Sequence, residues 1–266
     1  EMPKEFHLEA LKAQAIAART YIFKRWLEGD NRGVPVEGAI VTDTENHQVY
    51  LSEDQLLKGR FSWDDEHWEK LNRAVDETEG LVASFQNEPI EAAYFSTSNG
   101  YTENSEDYWS TYVPYLRSVA SPWDAALSPK YRNTVVLNTD EMLRKLEKGM
   151  GRLPPNWKFS IEVLEWSEGR RIKKIRIGDR VFSGRQIRER LGLNSTHFTF
   201  HFEEDKAYIT TFWYGHGVGM SQYGANGMAL EGSTAEEIIK YYYTGVNVEP
   251  LANLLPSHFQ RKVSQR

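Results

Sequence analysis

Apolar residues step by three and four through the opening of the chain. Leu8, Leu11, Ala15, Ala18 and Ile22 recur at helical spacing. They predict a helix over residues 5–28, with Pro3 suited to its start and Gly29 to its end. Glu5, Lys12 and Arg19 fall seven apart, so that helix carries them on one face. The face reads either as a solvated stripe with short-range ion pairs or as a stripe set out for a ligand. Residues 30–50 alternate poorly but are rich in valine and turn residues, and read as loop and then strand. Residues 53–80 read as helical, most clearly over DDEHWEKLNRAVDETEG. LVASF and EPIEAAYFS are strand-like runs joined at Gln86-Asn87-Glu88-Pro89, a hairpin signal.

Beyond this, STSNGYTENSEDYWS (96–110) is a polar loop. The stretch 134–202 has its own character. TVVLN reads as a strand followed by a short helix that Thr139 would cap, then strand, turn, strand and a second helix. That second helix carries a small basic cluster, Arg185, Arg188 and Arg190. THFTFHFEEDKAYITTFWY alternates as two more strands, and GHGVGMSQYGANGMALEG is a glycine-punctuated loop running into a helix. STAEEIIKYYYTG opens on an approximate capping box, Ser233 or Thr234 with Glu236 or Glu237. The pattern predicts an α+β fold with mostly antiparallel sheets. We expect a core lobe from 1–130 with 206–250, a smaller α+β lobe at 131–205, and a C-terminal tail at 251–266.

Composition narrows the classes. The 266 residues are 40% apolar and 26% charged, enough for one large domain or two small ones with a sizeable core. A net charge of −6 argues against a nucleic-acid partner. The absence of cysteine removes disulfides and thiolate metal sites. No run approaches the ~18 apolar residues that span a bilayer, and no signal peptide is visible. The chain starts at Glu1 rather than methionine, so we expect an upstream piece that is missing here. Aromatics reach 13%; grooves for sugars or bases use such rings, and so do cores.

The seven histidines form no HExxH, and most read as surface or structural residues. A Ser-His-Asp arrangement stays open, but without a G-x-S-x-G elbow. GHGVG lacks the third glycine and the context of a dinucleotide fingerprint. Two loops carry more. Ser96, Ser98, Asn99, Tyr101 and Glu103 concentrate neutral hydrogen-bonding groups around one acid, which suits a polyhydroxylated ligand. In GHGVGMSQYGA the glycines let the backbone approach something closely, and His216, Ser221 and Gln222 supply polar tips. The bland reading of that loop is a tight turn ahead of a helix.

EMPKEFHLEALKAQAIAARTY, YFSTSNGYTENSEDYW, VPYLRSV, GRQIRERLGL and GHGVGMSQYGANGMA, in this order, resemble the stage II sporulation protein D family, which also includes the amidase enhancers. The resemblance runs from Glu1 to about Gly245. It implies a peptidoglycan lytic transglycosylase that cuts between N-acetylmuramic acid and N-acetylglucosamine and leaves 1,6-anhydro ends. It implies glycan strands as substrate and partnership with a sporulation amidase, stage II sporulation protein P, and its membrane complex during engulfment. It places the protein outside the mother-cell membrane on an N-terminal anchor. Carried over by motif, Glu1 is the catalytic acid, and Lys12, Arg19, Tyr115 and Arg117 are residues the family needs. Some relatives hold zinc where this chain has Thr42 and Asn46-His47, so we expect no zinc and no cofactor. Relatives also carry a strand before the EMP motif that this sequence lacks.

One glutamate suffices for that chemistry. It protonates the departing glycosidic oxygen, then accepts the proton of the sugar's own 6-hydroxyl as that oxygen attacks the anomeric carbon. It must hold a proton at rest, with a pKa raised toward ~6–7. Nearby cations would lower it, so Lys12 and Arg19 are expected on the acetamido and lactyl groups, with Arg19 or Arg117 gripping a bared lactyl carboxylate. Glu9 is the competing acid; its alternative role is an ion pair orienting Lys12. A groove is expected, walled by the opening helix and the two polar loops. Two rivals stand: a glycan-binding amidase activator without chemistry of its own, and a hydrolase using two acids such as Glu1 and Glu103.

Overall fold

The computed structural model describes residues 2–44, 47–58, 64–129, 131–149, 151–212 and 214–255. In chain order its elements are α1 (Leu8–Glu28), α2 (Glu53–Lys58), α3 (Asp65–Asp76), β1 (Leu81–Phe85), β2 (Glu88–Pro89), β3 (Tyr94–Phe95), α4 (Ser105–Trp109) and α5 (Asp124–Leu127). They continue with β4 (Arg132–Asn138), α6 (Thr139–Glu147), β5 (Ile161–Trp166), β6 (Ile172–Ile177), β7 (Arg180–Ser183) and α7 (Gly184–Leu191). The last are β8 (Phe198–Glu203), β9 (Lys206–Phe212), β10 (Met220–Ser221), α8 (Gln222–Leu230), α9 (Ala235–Tyr242) and β11 (Asn247–Pro250). The three-stranded sheets pair antiparallel throughout, so the fold is α+β as the sequence predicts. Among the described residues no helix is long and apolar enough to cross a membrane. The chain divides into two compact units, Glu1–Tyr94 with Ala225–Arg266, and Phe95–Gly224.

In the first unit α1 packs on α3, α9 and β1. Its closely packed positions are small: Ala10, Ala13 and Ala17 are fully buried beside Ile16 and Phe23. Small side chains let neighbouring backbones approach from more than one side, and this moves the buried face away from the expected one. Of the predicted stripe only Leu11 is fully buried; Leu8, Ala15 and Ala18 are half-buried and Ile22 is exposed. Glu5 precedes the helix and so does not share a helical face with Lys12 and Arg19. Thr20 is buried and joins helix to sheet: its hydroxyl donates to Ile16 O and accepts from the N–H of Ala83 at 2.8 Å. The helix ends where Gly29 turns left-handed at φ 62°.

The sheet of this unit runs β11-β1-β2. Gln86 and Asn87 make the two-residue hairpin with positive φ at both positions, the geometry that matches strand twist. Among the described residues of 30–50 the expected strand does not form. Gly33, Pro35 and Gly38 interrupt it, and the described backbone there is irregular. Arg25 ties it instead, donating to Ile40 O (2.8 Å) and Arg32 O (2.9 Å) while pairing with Asp30.

The second unit holds the sheets β4-β9-β8 and β5-β6-β7. Ile172, Ile175, Ile177, Phe182, Phe198 and Ile209 from their strands meet Met142 and Leu146 of α6 and Ile187 and Leu191 of α7 in one apolar cluster. Residues 131–205 lie wholly within this unit, where β9 completes the sheet that β4 and β8 belong to. Asn138, not Thr139, caps α6: its side chain accepts from the N–H of Asp140 at 2.9 Å, one residue earlier than expected. Ser183 with Gln186 and Thr234 with Glu237 form capping boxes on α7 and α9.

Candidate functional site

Glu1 lies outside the described residues. The residues that follow it in the first unit are tied down. The N–H of His7 donates to Asn226 Oδ1 at 2.8 Å. Glu9 spends both oxygens inside the protein: Oε1 accepts from Lys12 Nζ and Oε2 from the N–H of Ala235, each at 2.7 Å. Ala235 opens α9, so Glu9 satisfies an N–H that the helix itself leaves without an acceptor. Burial pushes the Glu9 carboxyl up, but the bonds from Lys12 and Ala235 outweigh it and hold the group below its ordinary value. Such a carboxylate is ionised near neutral pH and has no proton to give.

Lys12 and Arg19 converge on one turn, residues 77–81, between α3 and β1. Lys12 pairs with Glu77 as well as Glu9. Arg19 Nη1 donates to Thr78 O (2.7 Å) and Leu81 O (2.8 Å). Burial draws its pKa below the ordinary value, and Glu79 opposes that. The spacing of seven therefore positions two cations along one stretch of backbone.

In the second unit the two polar loops are joined through Asp124, a residue the sequence reading passed over. Asp124 is fully buried. Its Oδ1 accepts from the N–H of Ser98 (2.7 Å) and from Ser221 Oγ (2.5 Å), and its Oδ2 from Ser121 Oγ (2.7 Å). Burial raises its pKa against those three serines. Ser96 adds a second tie, its carbonyl accepting from the N–H of Tyr223 at 3.2 Å. Gln222 is buried at the start of α8. The only sequence signal for Asp124 was its place just after Pro122-Trp123, at the head of a short helix.

Asn99, Tyr101 and Glu103 face the turn between β5 and β6. Asn99 Nδ2 donates to Gly169 O at 2.8 Å. Arg170 lies over the Tyr101 ring, 4.3 Å from its centroid, and donates to its hydroxyl. Glu103 is 2% exposed and Arg171 3%. The Glu103 carboxylate accepts from Ser167 Oγ (2.6 Å) and the N–H of Asn104 (3.1 Å), and lies 3.5 Å from Arg171 Nη1. Burial pushes Glu103 up and brings Arg171 down to about 10, each against the attraction of the other. The glycines of GHGVG answer what their backbone approaches. A Cβ on Gly217 would stand 2.0 Å from Arg171 Nη2, and one on Gly215 2.9 Å from Phe95 Cβ.

Arg117 forks onto Glu106 at 2.8 and 2.5 Å, holding that carboxyl down at about 2, and covers the Tyr112 ring at 4.4 Å. Tyr115, two residues before it, is half-buried. His216 accepts from the N–H of Val218 at Nδ1 and packs among Phe95, Tyr108 and Trp109. His197, between Trp166 and Phe212, is brought down to about 4 by burial and by Arg171 and Arg170, so it is neutral at neutral pH.

A family model described as stage II sporulation protein matches residues 1–85. The chain is 42% identical over 262 residues to stage II sporulation protein D of Bacillus subtilis (strain 168), across 98% of this chain and 75% of the relative. The protein of the same name from Bacillus amyloliquefaciens is also 42% identical, across 98% of this chain and 74% of its own length. The amidase enhancer of Bacillus subtilis (strain 168) is 31% identical over 297 residues, covering 93% of this chain and 39% of that protein. Identity of this order along nearly every residue of the chain makes it a member of the stage II sporulation protein D family.

Proposed function

We propose that this chain is a peptidoglycan lytic transglycosylase of sporulation, cutting between N-acetylmuramic acid and N-acetylglucosamine of glycan strands freed of their peptides. The observation that carries the reading is the family match that begins at Glu1 and the 42% identity that continues along 98% of the chain. Glu1 gives its proton to the glycosidic oxygen as the bond from the anomeric carbon breaks. The 6-hydroxyl of the muramyl residue attacks that carbon, and the Glu1 carboxylate takes the hydroxyl proton, restoring the acid. No water is consumed, and the product is a 1,6-anhydro end.

The commitment of Glu9 to Lys12 and Ala235 supports Glu1 over Glu9 as the acid. The burial of Glu103 against Arg171 and Ser167 weighs against a two-acid hydrolase. In this reading Lys12 and Arg19 hold the backbone beneath the reacting sugars. The protein works at the outer face of the mother-cell membrane during engulfment, on an N-terminal anchor, with a sporulation amidase supplying the bared strands.

A second reading, activation of an amidase without glycan cleavage, is favoured by the relative named amidase enhancer. Mass spectrometry of sacculi digested with the chain separates the two. The transglycosylase reading predicts anhydro-muramyl products that accumulate with time; digests without them support the activator.

A further inference from the structure

The second unit contains a cavity of about 190 Å3 against the short helix α4. Glu106, Asp107 and Tyr108 of α4 line one side, and Lys173, Arg185 and Thr196 contribute to the rest. The cavity is smaller than the ~300 Å3 at which pockets for drug-sized ligands begin, and of the size of one six-membered ring with its substituents.

The charges around it are already matched. Glu106 is forked by Arg117, Asp107 lies 2.7 Å from Lys173, and Arg185 lies 2.8 Å from Glu189. Glu103, deeper in the wall, has Arg171 at 3.5 Å. An ion entering the cavity would have to displace one of these partners. A neutral polyol would not: it uses the remaining lone pairs of the carboxylates and the remaining N–H groups of the cations, and leaves each pair in place. Tyr108 adds a flat wall. Its ring is fixed by Trp109 at 5.7 Å and His216 at 5.8 Å, and Arg185 lies 5.8 Å from its centroid. A flat aromatic wall beside paired charges suits the apolar face and the hydroxyl rim of a sugar ring.

We propose that this cavity binds one neutral sugar residue of a glycan, at a place distinct from Glu1, Lys12, Arg19 and Tyr115. The choice of a glycan as ligand rests on the function proposed above; the cavity and its charge balance do not.

Nuclear magnetic resonance titration of the whole chain with N-acetylglucosamine, and with its soluble β-1,4-linked tetramer, tests this. Saturable shifts are expected at the amides of Tyr108, Lys173, Arg185 and Thr196. Tyr108→Ala is expected to weaken binding ~fivefold or more. Arg185→Ala, at a largely exposed position where folding is not at risk, is expected to weaken it ~threefold. No shift at these amides at saturating sugar, or equal affinity in wild type and both variants, overturns the site. Anhydro-end formation by the wild type is scored in parallel. Anhydro ends without shifts here sink the site and leave the transglycosylase reading; shifts here without anhydro ends do the reverse.

Discussion

Ser221 donates to the fully buried carboxylate of Asp124 at 2.5 Å, and the same oxygen accepts from the N–H of Ser98. One carboxylate thus sets the spacing of the two polar loops. Hydrogen bonds to a charged group contribute ~1.5–3 kcal/mol each. Asp124→Ala is therefore expected to lose ~3 kcal/mol or more of unfolding free energy and Ser221→Ala ~1.5–2. Urea denaturation of both variants checks the order; equal loss, or none, contradicts it.

Gly217 stands where a methyl group would meet the Arg171 guanidinium at 2.0 Å, with φ 85°. Gly29 is left-handed too, but a Cβ there meets nothing within 4 Å. Gly29→Ala is expected to lose only the left-handed backbone penalty, ~1–2 kcal/mol. Gly217→Ala adds displacement of a buried cation from Glu103 and is expected to lose ~3 kcal/mol or more. Paired denaturation curves measure the difference.

Glu103 is the acid of the two-carboxylate alternative, and its partner is as buried as it is. Glu103→Leu alone leaves Arg171 buried without its counter-charge, a loss of ~3–5 kcal/mol. Adding Arg171→Met removes the stranded charge and is expected to recover most of that stability, with glycan cleavage returning alongside. A double variant that folds well but stays inactive would put Glu103 in the chemistry.

The Glu106 and Arg117 pair fixes a pH dependence. The hydrogen bonds from Arg117 hold the carboxyl at about 2, below its ordinary value. The folded state thus binds this proton less readily than the unfolded chain. The pair's contribution is full above the unfolded pKa of ~4.3 and disappears as pH falls through about 2. Carboxyl carbon resonances should show Glu106 still ionised at pH 3, and Glu106→Gln should flatten the acid limb of stability. A midpoint near 4.3 contradicts the pairing.

Arg19 reaches two carbonyls with one nitrogen of its planar fork. A lysine brings a point charge with different geometry, so Arg19→Lys is expected to lose ~1–2 kcal/mol. It is expected to weaken cleavage through the turn 77–81, on bared and peptide-bearing strands alike. Loss confined to bared strands would instead place Arg19 on the lactyl carboxylate.

Much of the framework was legible because its signals are local. The hairpin at Gln86-Asn87, the box on α9 and the glycine ending α1 depend on a few neighbouring residues. The buried face of α1 was not legible, because a run of alanines offers too little contrast between sides. The ion pair of Glu9 with Lys12 was one of two roles open to it in the sequence, but its bond to Ala235 joins residues 226 apart, beyond any local pattern. The polar loops read as suited to a ligand, and dense serine, asparagine and glycine also serve a buried carboxylate and a buried arginine. The structural use was not legible, because Asp124 and Arg171, which the loops enclose, are distant in the chain.

The central claim is that one acid, Glu1, carries the proton. The most direct measurement counts 1,6-anhydro ends released from peptide-free glycan by the wild type, Glu1→Gln and Glu9→Gln, using mass spectrometry. The account predicts that Glu1→Gln falls by ~10²–10⁴ while Glu9→Gln, if folded, stays within ~tenfold of wild type. Anhydro ends formed by Glu1→Gln at the wild-type rate would contradict it.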